Sequence, residues 1–218
     1  MTSEWKANLT PMFSRITGCE TLNYSHVDFG RDTTHECMSV ILKEASAIQK
    51  ALAVYFDDAQ VESEESDIDI EDIQSGERLA YSCLSLIRSE LPKGFVAFMG
   101  TTNWLGPEIN SGIEIVIGPG TNQFDIIRLA RTDACNYELS TEDIIRRLQQ
   151  YDNEFGIDIF HAETDLVEFD LKTAPKEPSK LAADLYDFCP DLIDQGMGDL
   201  EDLAQEILEE RRITLWWD

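Results

Sequence analysis

This sequence predicts an α+β fold: a mixed or mainly antiparallel sheet flanked by helices, with a smaller N-terminal element. Three observations point there. Strand-like apolar runs cluster in mid-chain, at 95–99, 113–117, 124–129, 157–160 and 166–171, instead of alternating regularly with helices. Helical periodicity flanks that cluster on both sides. The last residues, Ile213 to Trp217, read as a closing strand.

Taken in order, residues 1–34 lack a clear period and read as strands and loops. From Glu36 onward, Met38, Ile41, Leu42, Ala45, Ile48, Leu52 and Tyr55 recur at spacings of three and four, which predicts a helix. Between Asp57 and Asp72 lie nine acidic residues and no basic one, so low hydrophobicity and self-repulsion predict a linker or exposed loop over 57–76. Leu79, Cys83, Leu86, Ile87 and Leu91 mark a helix that Pro92 and Gly94 stop. Phe95 to Met99 is a β-rich run. Ile113, Ile115 and Ile117 alternate with Glu114 and Val116 before the turn at Gly118-Pro119-Gly120. Phe124 to Leu129 is a further predicted strand. Ser140-Thr141-Glu142-Asp143 has the form of a capping box ahead of Ile144, Ile145, Leu148 and Tyr151, and Gly156 ends that helix. Ile157–Phe160 and Leu166–Leu171 predict a hairpin, with Val167, Phe169 and Leu171 facing one way. Helices follow at Ser179–Phe188 and Asp199–Arg212. Three regions result: 1–56, a linker at 57–76, and an α+β domain over 77–218.

The charge is strongly one-sided. The chain of 218 residues carries 43 Asp and Glu against 17 Lys and Arg, for a net charge of -26. Such a field repels nucleic-acid phosphates and anionic membranes and attracts cationic partners. The acidity is concentrated at 57–72 and at 177–218, the latter holding twelve acids and three bases. A hydrophobic content of 43% is enough for a packed core. No apolar run reaches the roughly 18 residues a membrane span needs. No basic segment followed by an apolar core opens the chain, so no secretory signal is expected. The five cysteines are odd in number and none forms C-x-x-C, which predicts a reducing cytoplasm with thiols as small core residues.

The segment Leu185-Tyr186-Asp187-Phe188-Cys189-Pro190-Asp191-Leu192-Ile193-Asp194-Gln195-Gly196, continuing to Gly198 and closing on Leu215-Trp216-Trp217-Asp218, resembles the end of the DUF4253 family. Phe124-Asp125 with Arg128, Thr132-Asp133 with Asn136-Tyr137, and Thr141-Glu142-Asp143 fit the same pattern. The resemblance covers roughly 77–218. It implies a shared bacterial α+β domain of unknown function and transfers no catalytic residue.

Several constellations could carry chemistry. In Cys189-Pro190-Asp191-Leu192-Ile193-Asp194-Gln195-Gly196, Asp191 and Asp194 would bind a cation or partner. Helix-stop and turn chemistry accounts for the same residues, with Gly196 and Gly198 supplying positive φ. His161-Ala162-Glu163 matches half of a zinc deaminase motif, but P-C-x-x-C is absent. His161, Glu163 and Asp165 form an acid/base candidate on a hairpin turn. Asp158, Asp170 and Lys172 faintly match a nuclease metal site, against which the charge field speaks. A calcium loop starting at Asp67 fails, because its sixth and twelfth positions hold Asp72 and Arg78. Cys135 or Cys189 with His161 would make a nucleophile pair, though cysteines in apolar company are more often inert. Of Trp216 and Trp217, adjacent on a strand, one belongs in the core and the other on a second packed face or a contact surface.

These residues favour a non-enzymatic, cytoplasmic acidic protein that binds a basic protein, in its most concrete form a bacterial immunity protein neutralising a toxin. No cofactor, metal, nucleic acid or membrane is expected. The expected contact residues are Asp57, Asp58, Glu62, Glu64, Glu65, Asp67, Asp69, Asp191, Asp194 and Trp217. The alternative is a metal-dependent or acid/base hydrolase built on His161, Glu163 and Asp165.

Overall fold

The structure is a computed structural model, which describes residues 4–23, 37–42, 70–100, 113–196 and 198–218. The chain divides into two compact units, Met1–Thr121 and Asn122–Asp218. Both combine helices with antiparallel strands, as the α+β prediction requires.

The first unit opens with helix α1, Glu4–Thr17, where strands and loops were expected. Leu9, Phe13 and Ile16 are buried at spacings of four and three, a helical face. Pro11 inside the helix obscures that pattern, since proline removes a backbone donor and ordinarily breaks a helix. Gly18 ends it in the left-handed region at φ 67°, its N–H donating to the Ser14 carbonyl at 2.8 Å. Strand β1, Leu22–Asn23, pairs with β2, Met38–Leu42.

Strand β2 corrects the helix expected from Glu36. Its pairing with β4, Ile113–Pro119, runs from Met38↔Ile117 to Leu42↔Ile113. Met38, Ser39, Val40 and Leu42 are all buried, so both faces of this strand are covered. A strand buried on both sides is a continuous apolar run, within which three- and four-residue spacings arise by accident. The remainder of that expected helix, from Ala45 to Tyr55, lies outside the described residues.

Helix α2, Ile70–Glu90, takes in residues 70–76, which were expected to belong to the linker. Acidic residues near a helix start complement the helix dipole, so an acidic sequence does not by itself exclude a helix there. The rest of the acidic stretch, 57–69, lies outside the described residues. Ala80, Cys83, Leu84 and Ile87 form the buried stripe of α2. Arg88 Nε donates to the Ala97 carbonyl at 2.8 Å, tying α2 to β3, Phe95–Met99, which pairs antiparallel with β4.

The second unit begins with helix α3, Phe124–Ala130, where a strand was expected. Its start is held by local side chains. Asn122 Oδ1 accepts the Phe124 N–H at 2.9 Å, and Asp125 Oδ2 accepts the Asn122 N–H at 3.2 Å. Ile126, Ile127 and Ala130 are buried, which is a helical and not an alternating pattern. After a 3-10 turn at Cys135–Tyr137 comes α4, Thr141–Phe155. It has the predicted capping box, with Ser140 and Asp143 exchanging side-chain and backbone hydrogen bonds, and the predicted stop at Gly156, φ 65°.

Strands β5, Ile157–Ala162, and β6, Leu166–Leu171, form the predicted hairpin, and β7, Arg212–Trp216, adds antiparallel to β6. Val167, Phe169 and Leu171 face the core. Helices α5, Pro178–Phe188, and α6, Leu200–Glu210, pack on each other, joined through a π-helical turn at Leu192–Gly196. Asp199 caps α6 by accepting the N–H groups of Glu201 and Asp202. Among the described residues no helix is long and apolar enough to cross a membrane.

Candidate functional site

The sequence candidates His161, Glu163 and Asp165 sit on and beyond β5, and a bulge decides what His161 meets. The β5–β6 register steps from Ile159↔Phe169 to His161↔Glu168, leaving Phe160 as the extra residue. Unbroken alternation would set His161 opposite Val167; the bulge sets it opposite Glu168. His161 Nδ1 lies 2.5 Å from Glu168 Oε2, and Nε2 lies 3.0 Å from Glu163 Oε1. Glu168 also accepts from Thr214 Oγ1 at 2.8 Å, across β7. His161 is 5% exposed. Burial alone would strip its charge, but the two carboxylates outweigh burial and raise its pKa to about 9. Glu168 is held below the usual carboxylate range: burial opposes its charge, while His161, Thr214 and Arg212 favour it. His161 is therefore a charged clamp with both ring nitrogens bonded. General base catalysis needs a free ring nitrogen, which this arrangement does not supply.

Asp165 belongs to a different surface. With Asp133, Cys135, Thr164 and Asp218 it lines a shallow cavity of about 240 Å³. Burial, then the charges of Glu163, Asp218 and Asp133, push its carboxyl up. Thr132 Oγ1 donates to the Glu163 carbonyl at 2.6 Å and the Asp133 N–H to the Thr164 carbonyl at 2.9 Å, so the loop after α3 is fixed to the hairpin turn. Among the described residues no group of three or more His, Cys, Asp and Glu is arranged to hold a metal ion.

Of the nuclease-like residues, Asp158 and Asp170 stand opposite each other on β5 and β6, and Asp170 is engaged. Asp170 accepts Arg212 Nε at 3.0 Å, and the Arg212 guanidinium lies 4.4 Å from the Phe160 ring centre. Lys172 packs its stem near Gly156.

The Cys-Pro-Asp segment works as a clasp on β7. Cys189 Sγ bonds the Trp216 backbone, donating to its carbonyl at 2.9 Å and accepting its N–H at 3.3 Å. Trp217 packs edge-on against Phe188 and donates Nε1–H to the Phe188 carbonyl at 3.3 Å. Asp191, 3% exposed, accepts from Tyr137 Oη at 2.7 Å, Gln195 Nε2 at 2.9 Å and the Asp218 N–H at 3.0 Å. Burial works against its charge, but these three donors hold its carboxyl below the usual range. Burial pushes the Cys189 thiol up to about 11, so it is not an activated nucleophile. Among the described residues the positive-φ glycines are Gly18, Gly94 and Gly156, and the turn here does not draw on Gly196 or Gly198 for that purpose.

Two expected contact residues are therefore core residues. Asp191 is spent on the clasp, and Trp217, 3% exposed, fills the interior; Trp216 is the less buried of the pair. Asp194 stays exposed and accepts from Tyr186 Oη at 3.1 Å. Asp57, Asp58, Glu62, Glu64, Glu65, Asp67 and Asp69 lie outside the described residues.

One surface feature was not anticipated. Tyr186 of α5, Ile193 of the π-helical turn, and Asp199, Leu200 and Glu201 at the start of α6 line an open groove of about 380 Å³. Leu200 is 40% exposed there, and Leu208 is 47% exposed further along α6. The apolar stripe of α6 was legible, but which of its leucines would stay uncovered depends on packing against α5.

No characterised protein and no solved structure matches this chain. The model of one family does match, over residues 114–218, a shorter stretch than the motifs suggested. Both parts of the clasp, the Cys-Pro-Asp segment and the terminal Trp-Trp-Asp, fall within the match of residues 114–218 to DUF4253, a domain of unknown function.

Proposed function

We propose that this chain is a non-enzymatic acidic protein that binds a basic protein, the most concrete form being a bacterial, cytoplasmic immunity protein that neutralises a cationic toxin. One observation carries the reading. Asp187, Asp194, Asp199, Glu201, Asp202, Glu209 and Glu210 are all exposed along α5, the π-helical turn and α6. Among the described residues none of the seven joins a salt bridge to a lysine or arginine. Their field is thus left to act on an external cation, which favours fast, steered association with a basic surface. Both His161 nitrogens are held by carboxylates, which supports the binding reading over a hydrolase with His161 as its base.

The test is affinity capture by the full chain from its native host at low and high salt, followed by binding of the purified captured protein. A basic protein should be held at low salt and released at high salt, and its toxicity on expression should be relieved by co-expression of this chain. Capture of nothing basic at low salt refutes the reading.

A further inference from the structure

The groove between α5 and α6 supplies what charge alone lacks, an apolar seat inside an acidic rim. We infer that this groove is the docking site for a cationic amphipathic segment of a protein partner, one that inserts an apolar side chain between Tyr186, Ile193 and Leu200 while its lysines or arginines meet Asp194, Asp199 and Glu201. The inference rests on the partner-binding reading above and gives it an address.

Three features combine. The floor is apolar and open, with Leu200 40% exposed at the start of α6. The rim is acidic, and Asp194 is held in place by the Tyr186 hydroxyl at 3.1 Å. The wall carrying Ile193 is a π-helical turn, fixed where the Ile193 and Asp194 N–H groups both donate to the Pro190 carbonyl at 3.0 Å. An all-basic ligand would leave the floor wet, and an acidic or neutral amphipathic one would forgo the rim. A cationic helix with an apolar stripe satisfies both, as helix-in-groove recognition requires. The buried apolar anchor holds the complex, and the rim charges set its approach and orientation.

The probe is a fluorescein-labelled synthetic helix of repeating leucine and lysine, titrated with the full chain and read by anisotropy. Leu200→Asn should weaken binding about tenfold, the effect of losing one buried leucine contact. Asp194→Asn with Glu201→Gln should weaken it and flatten its salt dependence. Leu208→Asn, an exposed leucine outside the groove, should change nothing. Circular dichroism confirms that each variant is folded. Equal binding to wild type and Leu200→Asn overturns the inference, and so does equal weakening by Leu208→Asn, which would mean general adhesion. A wild-type dimer that Leu200→Asn converts to a monomer overturns it in favour of a second copy as occupant. If a captured basic protein binds Leu200→Asn as well as wild type, the groove is not its seat while the partner-binding reading stands. If no basic protein is captured, that reading fails regardless of the probe.

Discussion

Removing the charge held between Glu163 and Glu168 should destabilise the protein by an amount that depends on pH. Histidine in an unfolded chain titrates near 6.5, whereas His161 in the fold is raised to about 9. The folded state thus binds the proton more tightly. Its stabilisation is fully present below 6.5 and is lost as pH rises through 9. At about 1.4 kcal/mol per unit, the full effect is about 3 kcal/mol, of which about 1 kcal/mol remains at pH 8.5. The lowered Glu168 is the same interaction seen from its partner, so it adds nothing further. His161→Gln retains an amide of similar size but cannot take up the proton. Urea unfolding of wild type and variant at about pH 6.5, 7.5 and 8.5 should show their gap shrinking by about 2 kcal/mol across that range. Cys83 and Cys189, both raised by burial, erode stability only above their ordinary 9.0, and their effect cancels between the two proteins. A gap that stays constant with pH would show that His161 is neutral in the fold and refute the clamp.

Two further predictions concern packing. Asp191→Asn should cost about 2 kcal/mol, because an amide cannot accept from Tyr137, Gln195 and the Asp218 backbone together; with a depressed folded pKa, its contribution is present above the ordinary 3.8 and lost on acidification, so urea midpoints of wild type and variant should converge below that pH. Gly100→Ala should cost about 1–3 kcal/mol, since its Cβ would fall 2.8 Å from Val116 Cγ2 and 2.9 Å from Glu114 Oε2; an unchanged thermal midpoint would mean that this face of β4 can give way.

The elements that could be read from the sequence were those whose local signals agreed with their surroundings. The capping box at Ser140, the stop at Gly156 and the alternation of Val167, Phe169 and Leu171 are each set by a few adjacent residues. The misread segments had signals that only tertiary context resolves. Met38–Leu42 is apolar on both faces because both are covered, which erases the strand period. Phe124–Ala130 is short and rich in isoleucine, so its caps, not its composition, decide for helix. At the site, His161 and Glu163 could be named from the sequence, but Glu168 and Thr214 could not, because the pairing depends on one extra residue in β5. A bulge leaves no mark in composition or spacing.

The Cys-Pro-Asp segment and the terminal Trp-Trp-Asp are used to build the domain. Cys189 bonds the end of the final strand, and Phe188 and Asp191 bond the two residues after it, so the two segments hold each other. Residues engaged in this way hold the C-terminal strand in place. The proposed function then draws on groups that the clasp positions without using. In this segment Asp187 and Asp194 are exposed, and the half-buried Tyr186 is hydrogen-bonded to Asp194 and lines the groove that Leu200 leaves open. The clasp fixes the π-helical turn, the turn presents Ile193 and Asp194, and α6 brings up Leu200 and Glu201. On the proposed reading, the net charge of -26 is more than a general solubilising field, because part of it surrounds an apolar seat where a cation-bearing chain would be both attracted and held.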